Sequence, residues 1–193
     1  MSLLTIQRED AVLVAVDFQE RLMPGMFEKE KLEETMSRLI KGCRILGIPI
    51  LVTQQYTKGL GETTAKIKEA LTCEIPGALS AGNFTPVEKM TFSAMKEPSF
   101  VKALSDTGRR TVVITGMEAH ICVQQTALDM IEAGFAVFGV LDCMSSRTLE
   151  NKEFGQLRMT QSGVIVTGYE SVLFDALGNS KDANFKQISA IVR

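Results

Sequence analysis

A chain of 193 residues is the length of one ordinary domain, and at 45% hydrophobic it can fill a sizeable core. A formal net charge of −2 gives no electrostatic reason to expect nucleic acid or an anionic membrane as partner. No apolar stretch is long enough to cross a bilayer, and "MSLLTIQRED" has neither a basic start nor a sustained apolar run, so a cytoplasmic protein is expected.

The first predicted element is "AVLVAVD" (11–17), a continuous apolar run ending in a carboxylate, which suits a strand buried on both faces. A helix follows from about 28 to 46, with Leu32, Met36, Leu39, Cys43 and Leu46 at helical spacing and Gly47 and Pro49 as a stop. "IPILVT" (48–53) reads as the second strand. "QQYTKGLGETTA" then reads as a loop leading to a short helix near 64–71. Residues 73–83, with Pro76, Gly77 and Gly82, read as irregular, and "FTPVEK" (84–89) as a short strand that Pro86 confines to an edge. Pro98 opens a helix over 98–107. "TVVITG" (111–116) is a buried strand, and 120–133 a helix closed by Gly134. "FAVFGVLD" (135–142) is another strand. A helix at 148–161, the strand "GVIVTG" (163–168) and terminal helical pieces complete the chain. Strands alternating with helices imply right-handed crossovers and a mainly parallel sheet of six strands covered on both faces. The expected architecture is a Rossmann-like three-layer α/β/α sandwich in one domain spanning 1–193.

Open parallel sheets bind ligands beyond the carboxyl ends of their strands. Three reactive residues fall at such ends: Asp17, Lys89 and Cys122. Each has an ordinary reading as a helix cap, a solvated charge and a small buried hydrophobe. Together they form a usable set. A helix N-terminus and an ammonium group favour a thiolate, an aspartate can take and return the proton, and backbone amides at the turn can hold an oxyanion. The four cysteines, Cys43, Cys73, Cys122 and Cys143, form no CxxC pair, so free thiols are expected. With one histidine, the familiar multi-histidine metal sites cannot be built.

"VDFQE" (16–20), "EKMTFSAM" (88–95) and "TGMEAHICVQQTALDM" (115–130) resemble the isochorismatase-like, or cysteine hydrolase, superfamily. The resemblance covers nearly the whole chain. It is closest to the isochorismatase domain-containing proteins, in "QQYTKGLG" (54–61), "SSR" (145–147) and "GVIVT" (163–167). It implies a catalytic triad of Asp17, Lys89 and Cys122, in which the cysteine attacks a carbonyl carbon, commonly of an amide, to give a thioester. It also implies a cis Met117–Glu118 peptide, with the backbone amides of Glu118 and Cys122 as the oxyanion hole. Nicotinamidases of the superfamily bind a metal through an aspartate and histidines after the second strand. "TQQYTKGLGET" has no histidine there, so no metal and no cofactor are expected. Retention of Cys122 points away from the vinyl-ether cleavage of true isochorismatases.

Other residues are open between two readings. His120 lines the pocket or caps and packs. Glu118 acts through its backbone, or its side chain reads substrate or faces solvent. Gln19, Gln54 and Tyr56 offer hydrogen bonds to a small polar substrate or serve loop structure. Arg147 holds a substrate carboxylate, bridges subunits or makes a structural ion pair. Phe18, with Phe92 and Met95, forms an apolar wall or ordinary core. Cys43 lies on the apolar face of its helix. The expected activity is hydrolysis of a small amide or related carbonyl compound, with a silent binding or scaffold protein and an isochorismate-like vinyl ether hydrolase as alternatives. Family members are commonly dimers or larger, so a homo-oligomer is expected.

Overall fold

The computed structural model describes residues 5–78 and 84–193. Six strands form one parallel sheet: β1 (Ala11–Val16), β2 (Ile50–Gln55), β3 (Val87–Lys89), β4 (Thr111–Met117), β5 (Ala136–Ser145) and β6 (Ile165–Thr167), in the order β3-β2-β1-β4-β5-β6. Eight helices connect and cover them: α1 (Lys29–Ile45), α2 (Thr57–Leu60), α3 (Ala65–Thr72), α4 (Pro98–Asp106), α5 (Gln124–Glu132), α6 (Leu149–Gln161), α7 (Tyr169–Leu177) and α8 (Phe185–Val192).

Strand alternation sorts the core into two layers. Ala11, Leu13 and Ala15 face the layer built by α1, α3, α7 and α8. Val12, Val14 and Val16 face the layer of α4, α5 and α6. The continuous apolar run of β1 is therefore what burial on two faces requires. The chain winds from β1 outward to β3, then crosses back to β4 on the other side of β1 and winds outward to β6. The connections leave β1 and β4 in opposite directions, and a crevice opens at their carboxyl ends.

Several boundaries differ from the sequence reading. β2 starts at Ile50 rather than 48 and runs on to Gln55, so the two glutamines continue the strand by pairing with β3. β5 continues through Ser145, its register with β4 shifting between Ile114 and Gly116. The stretch after β2 contains the one-turn helix α2. The helix expected from 120 is two elements, a π-helical turn over Ala119–Val123 and then α5. Of the stretch read as irregular, 79–83 with Gly82 lies outside the described residues. All four cysteines are free; Cys43, Cys122 and Cys143 are buried and Cys73 is partly exposed.

Candidate active site

Asp17 is the first residue beyond β1, fully buried, with a positive φ of 55° that aspartate tolerates better than most side chains. Thr53 Oγ1 donates to its Oδ1 at 2.7 Å, and Lys89 Nζ donates to its Oδ2 at 2.7 Å. The lysine comes from β3, two strands away, and its side chain is also fully buried. Gln55 Oε1 (2.8 Å) and the carbonyls of Phe92 (3.1 Å) and Thr91 (3.3 Å) accept from the same ammonium. Every direction open to Lys89 thus ends on an oxygen, which is what makes a buried ion pair tolerable.

Cys122 sits in the π-helical turn after β4, beside Asp17. Burial, then the Asp17 charge, push its thiol up to about 12, with Lys89 opposing. Desolvation and the Asp17 carboxylate thus work against the thiolate that Lys89 favours.

The turn itself is fixed on several sides. The Met117–Glu118 peptide is cis. Val123 N donates to Glu118 O at 3.3 Å, and Thr126 Oγ1 donates to Cys122 O at 2.7 Å. Gly116 has φ +142°, and a Cβ there would lie 2.4 Å from Val16 O, so only glycine lets β4 run this close to β1. The Glu118 carboxylate is nearly buried. It accepts from Arg147 Nε at 2.8 Å and from the Arg147 backbone N–H at 3.3 Å, while His120 Nδ1 lies 2.9 Å from Ser146 Oγ. Glu118, His120, Ser146 and Arg147 therefore lock the loop after β5 onto the cysteine turn.

The structure brings Asp17, Lys89, Cys122 and Glu118 together, with His120 and Arg147 beside them. It does not bring in Phe18, which belongs to the core on the opposite sheet face from Cys122. Gln19 is fully buried and clamps the neighbouring loop: its Nε2 donates to Gln55 O (3.0 Å) and Gly61 O (2.7 Å), and its Oε1 accepts from Gln55 N (2.7 Å). Gln54 is held by Thr63 and Thr57. Loop structure is thus the geometry of both glutamines. Tyr56 is 44% exposed, and its backbone N–H donates to Lys89 O at 3.0 Å, which puts it at the rim with the exposed Met90 and Phe92. Arg147 makes the structural ion pair. Thr53 and Gln55 were missed. Their signal was parity: on β2 they share a face, and Gln54 points the other way.

Residues 11–171 match the isochorismatase domain, and the chain belongs to that family. Isochorismatase domain-containing protein 1 of Salmo salar is 38% identical over 183 residues, covering 94% of this chain and 60% of the relative. Isochorismatase domain-containing protein 2 of Danio rerio is 34% identical, covering 97% and 89%. The chain spans about 60% of the length of the domain-containing protein 1 relatives it matches. Among solved structures, a Caenorhabditis elegans protein described as MAR1 ribonuclease superposes with a TM-score of 0.87 at 33% identity, covering 97% of this chain and 92% of its own. YcaC from Pseudomonas aeruginosa, described with covalent acrylamide, superposes with a TM-score of 0.85 at 23% identity and shares the fold, covering 97% of this chain and 90% of its own.

Proposed function

We infer that this chain is a cysteine hydrolase of small amides or related carbonyl compounds. The observation that carries the reading is the buried contact chain from Thr53 and Lys89 to Asp17, with Cys122 near enough for the same carboxylate to act on its thiol. In the first step Asp17 takes the thiol proton as Sγ attacks the carbonyl carbon, so a thiolate need not exist before attack. Lys89 offsets the negative charge as it passes from Asp17 to the tetrahedral intermediate. The amides of Glu118 and Cys122 receive the oxyanion. Collapse breaks the C–N bond, Asp17 returns its proton to the departing amine, and a thioester remains. Water, deprotonated by Asp17, then releases the acid and the thiol. No protein group is consumed, and no cofactor is called on.

Acrylamide or iodoacetamide labelling followed by peptide mass spectrometry tests this. Cys73 is the most exposed thiol, so the test belongs in a Cys73→Ser background. Cys122 should label fastest, and Asp17→Asn should slow it. Labelling of Cys122 no faster than that of the buried Cys43 and Cys143 would falsify the mechanism. The description of the C. elegans neighbour raises RNA as a substrate for that protein. Here the net charge of −2 and single histidine give little to bind or cleave a phosphodiester, and incubation with single-stranded RNA should leave it intact.

A further inference from the structure

Two of the sequence motifs run past the residues that the mechanism uses: "EKMTFSAM" past Lys89 and "TGMEAHICVQQTALDM" past Cys122. In the structure these two tails are tied together. Lys89 reaches into the loop that follows β3, where the carbonyls of Thr91 and Phe92 accept from its ammonium. That loop has two ties to α5, the helix that continues from the cysteine turn. Thr126 makes the first: its Oγ1 accepts from the Ala94 backbone N–H at 3.0 Å and donates to Cys122 O at 2.7 Å. Ser93 makes the second: its Oγ donates to Asp129 Oδ2 at 2.6 Å, while the exposed Lys96 Nζ comes only to 4.0 Å of that oxygen. Thr91 Oγ1 donates to Ser93 O at 2.7 Å and closes the loop on itself. Two strands, β2 and β1, stand between β3 and β4, and the ties bridge that gap.

A threonine hydroxyl that donates to the carbonyl one turn back is a common helix feature and by itself calls for no function. The acceptor side is what sets Thr126 apart. Its one proton goes to Cys122 O, so its lone pair is left to the Ala94 amide, which comes from another element altogether. Ser93, Ala94 and Thr126 are all buried, so bulk water does not replace either contact. One hydroxyl thus joins the nucleophile's own carbonyl to the loop that receives Lys89.

We propose that Thr126 and Asp129 are positioning residues for Lys89: by tying the loop at 91–94 to α5, they fix the carbonyls that hold the ammonium relative to the Cys122 thiol. The inference rests on the hydrolase reading above, in which Lys89 offsets the charge passing to the intermediate. Rates of Cys122 alkylation by iodoacetamide, read by peptide mass spectrometry in the Cys73→Ser chain, test it. Thr126→Val keeps the shape and removes both hydrogen bonds, and labelling should fall about tenfold or more, since a 1 Å misplacement of reacting groups can cost ~10²-fold. Thr126→Ser, which keeps the hydroxyl, should recover most of that loss. Asp129→Ala, at a partly exposed site, should also slow labelling and decides the matter if Thr126→Val does not fold. In the Asp17→Asn chain Thr126→Val should slow labelling less than in the parent, because the pair it positions is already broken. A merely structural loss acts differently: opening of the fold raises labelling of the buried Cys43 and Cys143 together with Cys122. An Asp17→Asn chain that labels at the parent rate overturns the hydrolase reading, and this inference with it. With that chain slowed, any of four results overturns the inference alone: parent-like labelling in Thr126→Val or Asp129→Ala, no recovery in Thr126→Ser, full additivity with Asp17→Asn, or a joint rise at the buried thiols.

Discussion

At the scale of single residues, the site is a study in unequal partners. Lys89 has four oxygens around its ammonium, whereas Asp17 depends on Lys89 for its only opposite charge within contact. Losing either member of a buried pair costs about 3–5 kcal/mol when the remaining charge is stranded. Lys89→Met should lie at or above the upper end of that range. Asp17→Asn should lie below it, because Gln55 and two carbonyls still hold the ammonium. Urea denaturation of both variants decides: a larger loss in Asp17→Asn contradicts this account of the pair. Asp17, Lys89 and Cys122 are candidates in the sequence because each ends or follows a recognisable strand, and it is the family resemblance that implies they act as one set. Thr53 and Gln55 are not, since alternation along "ILVTQQ" places them on one face but does not say that this is the face towards Asp17 and Lys89.

At the scale of elements, α6 is what presses the cysteine turn into place. Gly155 lies against that turn, and a Cβ there would sit 2.8 Å from Ala119 O and 2.9 Å from His120 Cα. Those atoms are backbone and cannot swing aside. Gly155→Ala should shift the turn by a fraction of an ångström to an ångström, and a 1 Å misplacement of reacting groups can cost ~10²-fold. Cys122 labelling should fall by about tenfold or more in Gly155→Ala, with a stability loss of about 1–3 kcal/mol from overpacking. Unchanged labelling would mean that α6 does not set the turn. The sequence reading located this helix and the preceding strand, but it ended β5 at 142. Cys143–Ser145 continue the strand because Met144 and Ser145 pair with Gly116 and Met117. It likewise merged the π-helical turn with α5, since the apolar spacing of Val123, Ala127 and Met130 suits one helix, and it is the Val123-to-Glu118 and Gln124-to-Ala119 hydrogen bonds that distinguish the wider turn.

For the whole molecule, buried thiols set a weakness at high pH. Burial raises Cys43 and Cys122 from 9.0 to about 12, and Cys143 is raised too. Above pH 9 the unfolded chain releases these protons while the folded chain keeps them, so stability is full below about 9 and falls as pH rises toward 12. The slope is about 1.4 kcal/mol per pH unit for each fully titrating thiol. Thermal unfolding between pH 8 and 10.5 should show a declining Tm, and Cys43→Ala should make the decline shallower. Association is a second whole-molecule expectation. Phe154 and Leu157 on α6 are 65% and 56% exposed, a surface suited to another copy of the chain. Light scattering should give a mass above 21.2 kDa, and Leu157→Glu should lower it.

The pairing of β1 with β4 reaches further than the crevice it creates. Ala11 meets Thr111 and Val16 meets Gly116, so each contact of this central ladder closes 100 residues of chain. Such closure is slow, and it divides the polypeptide into two coherent parts, β1 to α4 and β4 to α8. The exposed turn at Gly108, where nothing approaches within 4 Å of an added Cβ, is the natural place to cut. One fragment then carries Asp17 and Lys89, and the other carries Cys122. Mixing them should restore fast labelling of that cysteine only when the central ladder has formed, so the reactivity of one thiol becomes a reporter of fragment complementation.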